Sequence, residues 1–124
     1  MKKKVLVADD DKTLRLSAQI FLAGKGYDVT VAEDGVEALE KLEECVPDVV
    51  ITDVMMPRKN GFEVCEAIKS NPKTEDTVVF IVSGNVTEIE KGFDYGADDC
   101  IVKPLDWDEL TKKIEEHISE KDEE

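Results

Sequence analysis

Two periods of hydrophobic residues alternate along the chain. Near-continuous apolar runs at 4–9, 27–32, 48–53, 78–82 and 100–102 have strand length and no helical spacing. Between them, apolar positions fall three and four apart. Leu14, Ser17, Ala18, Phe21 and Leu22 line one face of a first helix, which Gly24 and Gly26 end. Asp34 and Glu37 have capping-box spacing ahead of a stripe of Val36, Leu39, Leu42 and Val46, and Pro47 stops that helix. Gly61, Val64, Cys65 and Ile68 give a third helix. It closes at Asn71-Pro72, because a residue before proline is pushed out of the helical region. Asn85 and Glu88 repeat the capping-box spacing before a short helix carrying Val86, Ile89 and Phe93. Asp106 and Glu109 repeat it again before Trp107, Leu110, Ile114 and Ile118.

Strands and helices in strict alternation predict an α/β domain, a (βα)5 doubly wound five-stranded parallel sheet covered on both faces. Strands that are apolar at nearly every position fit burial on both sides. In the flavodoxin-like strand order 2-1-3-4-5, the topological switch point lies between the first and third strands, where ligands of such sheets bind. The domain spans 1–119, and 120–124 read as an acidic tail or linker stub.

Composition narrows the function. A chain of 124 residues is one domain. Its net charge of -14 argues against direct contact with nucleic acid, which is bound by neutralising phosphates with Lys and Arg. The apolar runs fall far short of the roughly 18–20 residues of a membrane span, and the first is too short for a signal peptide. These features predict a cytoplasmic protein without membrane insertion. Cys45, Cys65 and Cys100 are widely spaced and read as small packing residues in a reducing compartment.

The residues just past the strands carry the candidate chemistry. Asp9, Asp10 and Asp11 follow the first strand, Asp53 ends the third, Ser83 follows the fourth, and Lys103-Pro104 follow the fifth. The switch point brings Asp9 and Asp10 beside Asp53. Such carboxylates repel one another unless a hard cation sits among them, and Mg2+ suits an oxygen-only site. Three carboxylates, one Mg2+ and the Lys103 ammonium sum to zero charge, so a phosphoryl group can enter. Carboxylates can act as nucleophiles toward phosphorus, and the catalysis is mainly positioning and charge neutralisation. Asp53 is the expected phosphoacceptor. Mg2+ is expected among Asp9, Asp10, Asp53 and the backbone carbonyl of Met55, taking one phosphoryl oxygen. Lys103 takes a second oxygen, and the Ser83 hydroxyl donates to the third.

Val-Leu-Val-Ala-Asp9-Asp10-Asp11, Asp53-Val-Met-Met-Pro57, Ser83-Gly84, Gly96-Ala-Asp-Asp-Cys100 and Ile-Val-Lys103-Pro104 occur in that order. With these motifs the chain resembles a response-regulator receiver domain of two-component signalling, of the chemotaxis-regulator type, from residue 3 to about 118. The resemblance implies a sensor histidine kinase or a phosphotransfer protein as phosphodonor, and slow self-dephosphorylation by water. It also implies a signalling domain whose substrate is its own Asp53, not an enzyme in the ordinary sense. Members usually carry an aromatic ring where this chain has Cys100, so an aromatic swing is not expected here. Met55 and Asn85 fall where the family flanks the attacking water and tunes phosphate lifetime. An apolar Met55 predicts slow hydrolysis. The face of helix four, strand five and helix five is expected to receive a downstream effector or a second copy of the chain.

Two other readings compete. Asp9-Asp10-Asp11-Lys12-Thr13 matches the D-x-D-x-T motif of haloacid-dehalogenase-type phosphatases, with Asp9 as nucleophile. That reading lacks a cap insertion and leaves Asp53 without a role. The other is a receiver-like interaction module that is never phosphorylated, against which Asp10, Asp53 and Lys103 are all present.

Overall fold

A computed structural model describes residues 2–123, with side chains through Ser119. The strands are β1 (Lys4–Ala8), β2 (Asp28–Ala32), β3 (Val49–Asp53), β4 (Val78–Ser83) and β5 (Asp99–Val102). The helices are α1 (Lys12–Gly24), α2 (Gly35–Glu44), α3 (Gly61–Ser70), α4 (Val86–Gly92) and α5 (Trp107–Glu123), with a single 3-10 turn at Phe93–Tyr95. The strands form one parallel sheet in the order β2-β1-β3-β4-β5. Both the architecture and the strand order match the sequence expectation.

Strand alternation explains how runs that are apolar throughout build two cores. Val5, Val7, Val49, Ile51, Val78, Phe80 and Val82 face Ala18 and Leu22 of α1 and Leu110 and Ile114 of α5. Leu6, Ala8, Val50, Val79 and Ile81 face Ala38 and Leu42 of α2 and Val64, Cys65 and Ile68 of α3. Each large side chain so buried contributes about 1.5–3 kcal/mol of transfer free energy. Trp107 stacks on Phe21 with ring centroids 6.0 Å apart and pins α5 to α1. His117 lies edge-on to Phe80 and 3.3 Å from Asp99 Oδ2.

Several local expectations needed correction. Val46 does not extend the α2 stripe; the helix ends at Glu44 and Val46 is exposed. Phe93 belongs to the 3-10 turn, not to α4. The backbone of 120–123, read as an acidic tail or linker stub, is helical and continuous with α5, while the side chains of 120–123 and all of Glu124 lie outside the described residues. The reciprocal capping box sits at Asn60 and Glu63, a pair the sequence reading passed over. At Asp34, Glu37 supplies only its backbone N–H, and its side chain accepts from Glu33 N instead.

Candidate functional site

The polar groups at the carboxyl edge of the sheet converge on one crevice. Pairing of Val5–Ala8 with Val49–Thr52 sets the ends of β1 and β3 side by side. Asp9 and Asp53 therefore leave adjacent strands at the same level. One carboxylate oxygen from each of Asp9, Asp10 and Asp53 lies within 4.8 Å of the others. Asp9 is buried, Asp53 half-buried and Asp10 exposed, so the group opens to solvent on the Asp10 side.

Lys103 binds this cluster together. Its Nζ lies 3.1 Å from Asp9 Oδ2 and 3.2 Å from Asp53 Oδ2. The Lys103 N–H donates to the Ser83 carbonyl at 2.8 Å, which carries the β4–β5 ladder to the site, and the Lys103-Pro104 peptide is cis. Asp9 is fixed by Asp11 N, which donates to its Oδ1 at 2.9 Å, and Arg15 Nη1 donates to its backbone carbonyl at 2.9 Å. Val54 N donates to Asp53 Oδ1 at 2.8 Å and sets the rotation of that carboxylate.

Burial pushes the Asp53 carboxyl above its ordinary range, and the nearby Asp9 charge adds to the push; Lys103 and the Val54 N–H pull it back. Burial draws Lys103 down, but Asp9 and Asp53 outweigh it and hold the ammonium above the usual lysine value. Two carboxylates thus share one cation and leave excess negative charge. An oxygen-only donor set with surplus charge and one open side fits a hard divalent cation such as Mg2+.

The loop after β3 is held firmly. A side chain at Gly61 would overlap the Asp53 carbonyl, so α3 packs directly against the strand end. Arg58 adopts a left-handed φ of 69° and its guanidinium grips both carboxylate oxygens of Asp34 at 2.8–3.0 Å. The Glu37 N–H and this guanidinium hold the Asp34 carboxyl below its ordinary range. Met55, on this loop, is 68% exposed.

Other predicted residues are arranged differently. Ser83 is buried at the edge, but its hydroxyl donates to Glu88 Oε1 at 2.6 Å rather than to the Asp53 cluster. Asn85 directs its side-chain oxygen to Thr87 N and Glu88 N as the cap of α4. Cys100 is half-buried against the α2–α3 core, and burial raises its thiol to about 11. In Gly96-Ala-Asp-Asp-Cys100, Asp98 Oδ2 accepts from Lys69 Nζ and Val79 N, both at 2.8 Å, a structural tie between α3 and β4. Arg15 and Glu88 were missed as site residues. A basic residue one turn after the Asp run was the available signal for Arg15.

A family model described as response regulator receiver domain matches residues 5–115. The chain belongs to that family. It is 40% identical over 114 residues to response regulator MprA of Mycobacterium sp. (strain KMS), covering 92% of this chain and 50% of that protein. The same protein of Mycobacterium leprae is 40% identical over 111 residues, covering 90% of this chain and 49% of that one. The receiver chain thus spans about half the length of these curated relatives. Among solved structures it resembles chemotaxis response regulator CheY4 of Vibrio cholerae, with a TM-score of 0.88, 31% identity, and coverage of 94% and 99%. A response regulator from Chloroflexus aurantiacus gives 0.91 at 29% identity, covering 96% and 99%. This is a receiver domain of a two-component response regulator.

Proposed function

We propose that Asp53 is the phosphoacceptor of this receiver. The observation that carries the reading is the Lys103 ammonium bridging Asp9 and Asp53 within an acidic cluster that also includes Asp10. A phosphohistidine of a sensor histidine kinase or of a phosphotransfer protein is the donor. An Asp53 carboxylate oxygen forms the new bond to phosphorus as the phosphorus–nitrogen bond breaks. The electron pair leaves with the imidazole nitrogen, which is then protonated. Lys103 neutralises charge on the incoming group, and the Val54 N–H keeps the carboxylate from turning away. Asp9, Asp10, Asp53 and the Met55 carbonyl would hold Mg2+, which when bound neutralises phosphoryl charge.

Asp9 is a poor alternative nucleophile. Its side chain is 3% exposed against 12% for Asp53, so a phosphoryl donor reaches Asp53 more readily. The output face is that of α4, β5 and α5, on which Val86 of α4 and Val102 of β5 are each exposed. It would receive an effector or a second copy of the chain. A cytoplasmic signalling role without enzymatic turnover of an external substrate completes the reading, and among the described residues no helix is long and apolar enough to cross a membrane.

The test is incubation with Mg2+ and acetyl phosphate followed by intact mass measurement. One added phosphoryl group is expected in the wild type and none in Asp53→Asn. Label on Asp9, or equal labelling of both proteins, refutes the assignment.

A further inference from the structure

The Asn85–Glu88 pair has the same spacing as the reciprocal box at Asn60–Glu63, yet it is wired differently. In the latter, Glu63 Oε1 accepts from Asn60 N at 3.1 Å and Glu63 N donates to Asn60 Oδ1 at 2.9 Å. At the start of α4 the second half of the box is interrupted. Asn85 N donates to Ser83 Oγ at 3.0 Å, and Ser83 Oγ donates to Glu88 Oε1 at 2.6 Å. A serine hydroxyl stands where the Asn85 N–H and the Glu88 carboxylate would otherwise meet. Strand alternation puts Ser83 on the same face as Ile81, and Ile81 Cδ1 would lie 3.3 Å from a Cβ placed on Gly92 of α4. The hydroxyl is therefore turned toward α4.

A hydroxyl carries one proton to donate. It cannot serve Glu88 and a phosphoryl oxygen on Asp53 at once. We propose that Glu88 is a positioning residue that holds the Ser83 hydroxyl on α4 while Asp53 is unmodified. When the hydroxyl turns to the phosphoryl group, Glu88 closes directly on the Asn85 N–H and completes the capping box. The start of α4 thus has two wirings, and the state of Asp53 selects between them. The inference rests on the phosphoacceptor reading of Asp53 and adds to it a named competitor for the hydroxyl. The hydroxyl must give up its short charge-assisted bond to Glu88 before it can donate to the phosphoryl group, so Glu88 competes with phosphorylation.

Beryllofluoride, a phosphoryl mimic, tests this by equilibrium binding in excess Mg2+, measured by calorimetry. Removing the competitor in Glu88→Ala should tighten binding roughly three- to tenfold, the net scale of one hydrogen bond. Glu88→Gln, which keeps the packing and a neutral acceptor, should fall between wild type and Glu88→Ala. In a Ser83→Ala background the Glu88→Ala change should have no effect, since no hydroxyl remains to be held. In wild type alone, the Asn85 amide proton resonance should shift on loading as its acceptor changes from hydroxyl to carboxylate. Unchanged affinity in Glu88→Ala, or an equal gain with and without Ser83, overturns the inference and leaves Asp53 as acceptor. Failure of the wild type to bind the mimic at all overturns both.

Discussion

Asp53 sits where its carboxylate is least comfortable, and its neighbours decide what it can do. Burial and Asp9 make the charge costly, while Lys103 at 3.2 Å and the Val54 N–H make it tolerable and aim it. The charged ends of the apolar runs made this crevice legible in the sequence, because an Asp or Lys directly after a buried strand has only the sheet edge to occupy. Hydrogen-bond wiring was less legible. Asn85 and Glu88 obey the capping-box pattern, and nothing in that pattern says that Ser83 will stand between them. Met55 gives a test at this scale. It is 68% exposed on the loop after β3 and offers water only a thioether, a weak acceptor. Met55→Asn supplies a donor and an acceptor for an attacking water. Phosphoryl loss, followed by mass after donor removal, should run about three- to tenfold faster, the scale of one added hydrogen bond. Equal decay rates refute the tuning role.

Between elements, α4 and β5 meet through the smallest available parts. A Cβ on Gly92 would lie only 2.7 Å from Cys100 Sγ. Cys100 thus packs directly against the α4 backbone at Gly92, with no space for a methyl group between them. That contact was only half visible in the sequence: Cys100 stood out as a small residue, but nothing in the apolar pattern singled out Gly92. The contact predicts coupled energetics. Gly92→Ala gains about 1 kcal/mol of helix propensity but drives a methyl into Cys100, and overpacking of this kind costs about 1–3 kcal/mol. The net result should be destabilisation in urea titration. Adding Cys100→Ala removes the sulfur and should turn Gly92→Ala from destabilising to stabilising. Strictly additive effects would show that the two residues do not share this contact. The Ser83–Glu88 hydrogen bond is a direct side-chain link between the end of β4 and α4.

At the scale of the whole molecule, the chain carries a net charge of -14 and concentrates part of it where two strands, β1 and β3, end. A general excess of negative charge destabilises a compact state weakly and is relieved by any salt. The cluster of Asp9, Asp10 and Asp53 is different, because its repulsion is local and partly buried, and a single lysine offsets only part of it. Two kinds of ionic response should therefore separate. Monovalent salt should raise the melting temperature modestly and alike in wild type and variants. Mg2+ should add a further, saturable rise in wild type, worth about 1.4 kcal/mol at ten times its dissociation constant. Asp10→Asn should lose most of that rise. Asp53→Asn should also lose it, yet melt higher than wild type without Mg2+, by about 1 kcal/mol, because one repelling charge has been removed from a buried position. The crossing of those two curves as Mg2+ is titrated, at constant ionic strength, is the signature of a cation site built from destabilising carboxylates. Parallel curves would mean that the cluster is no more than part of an acidic surface.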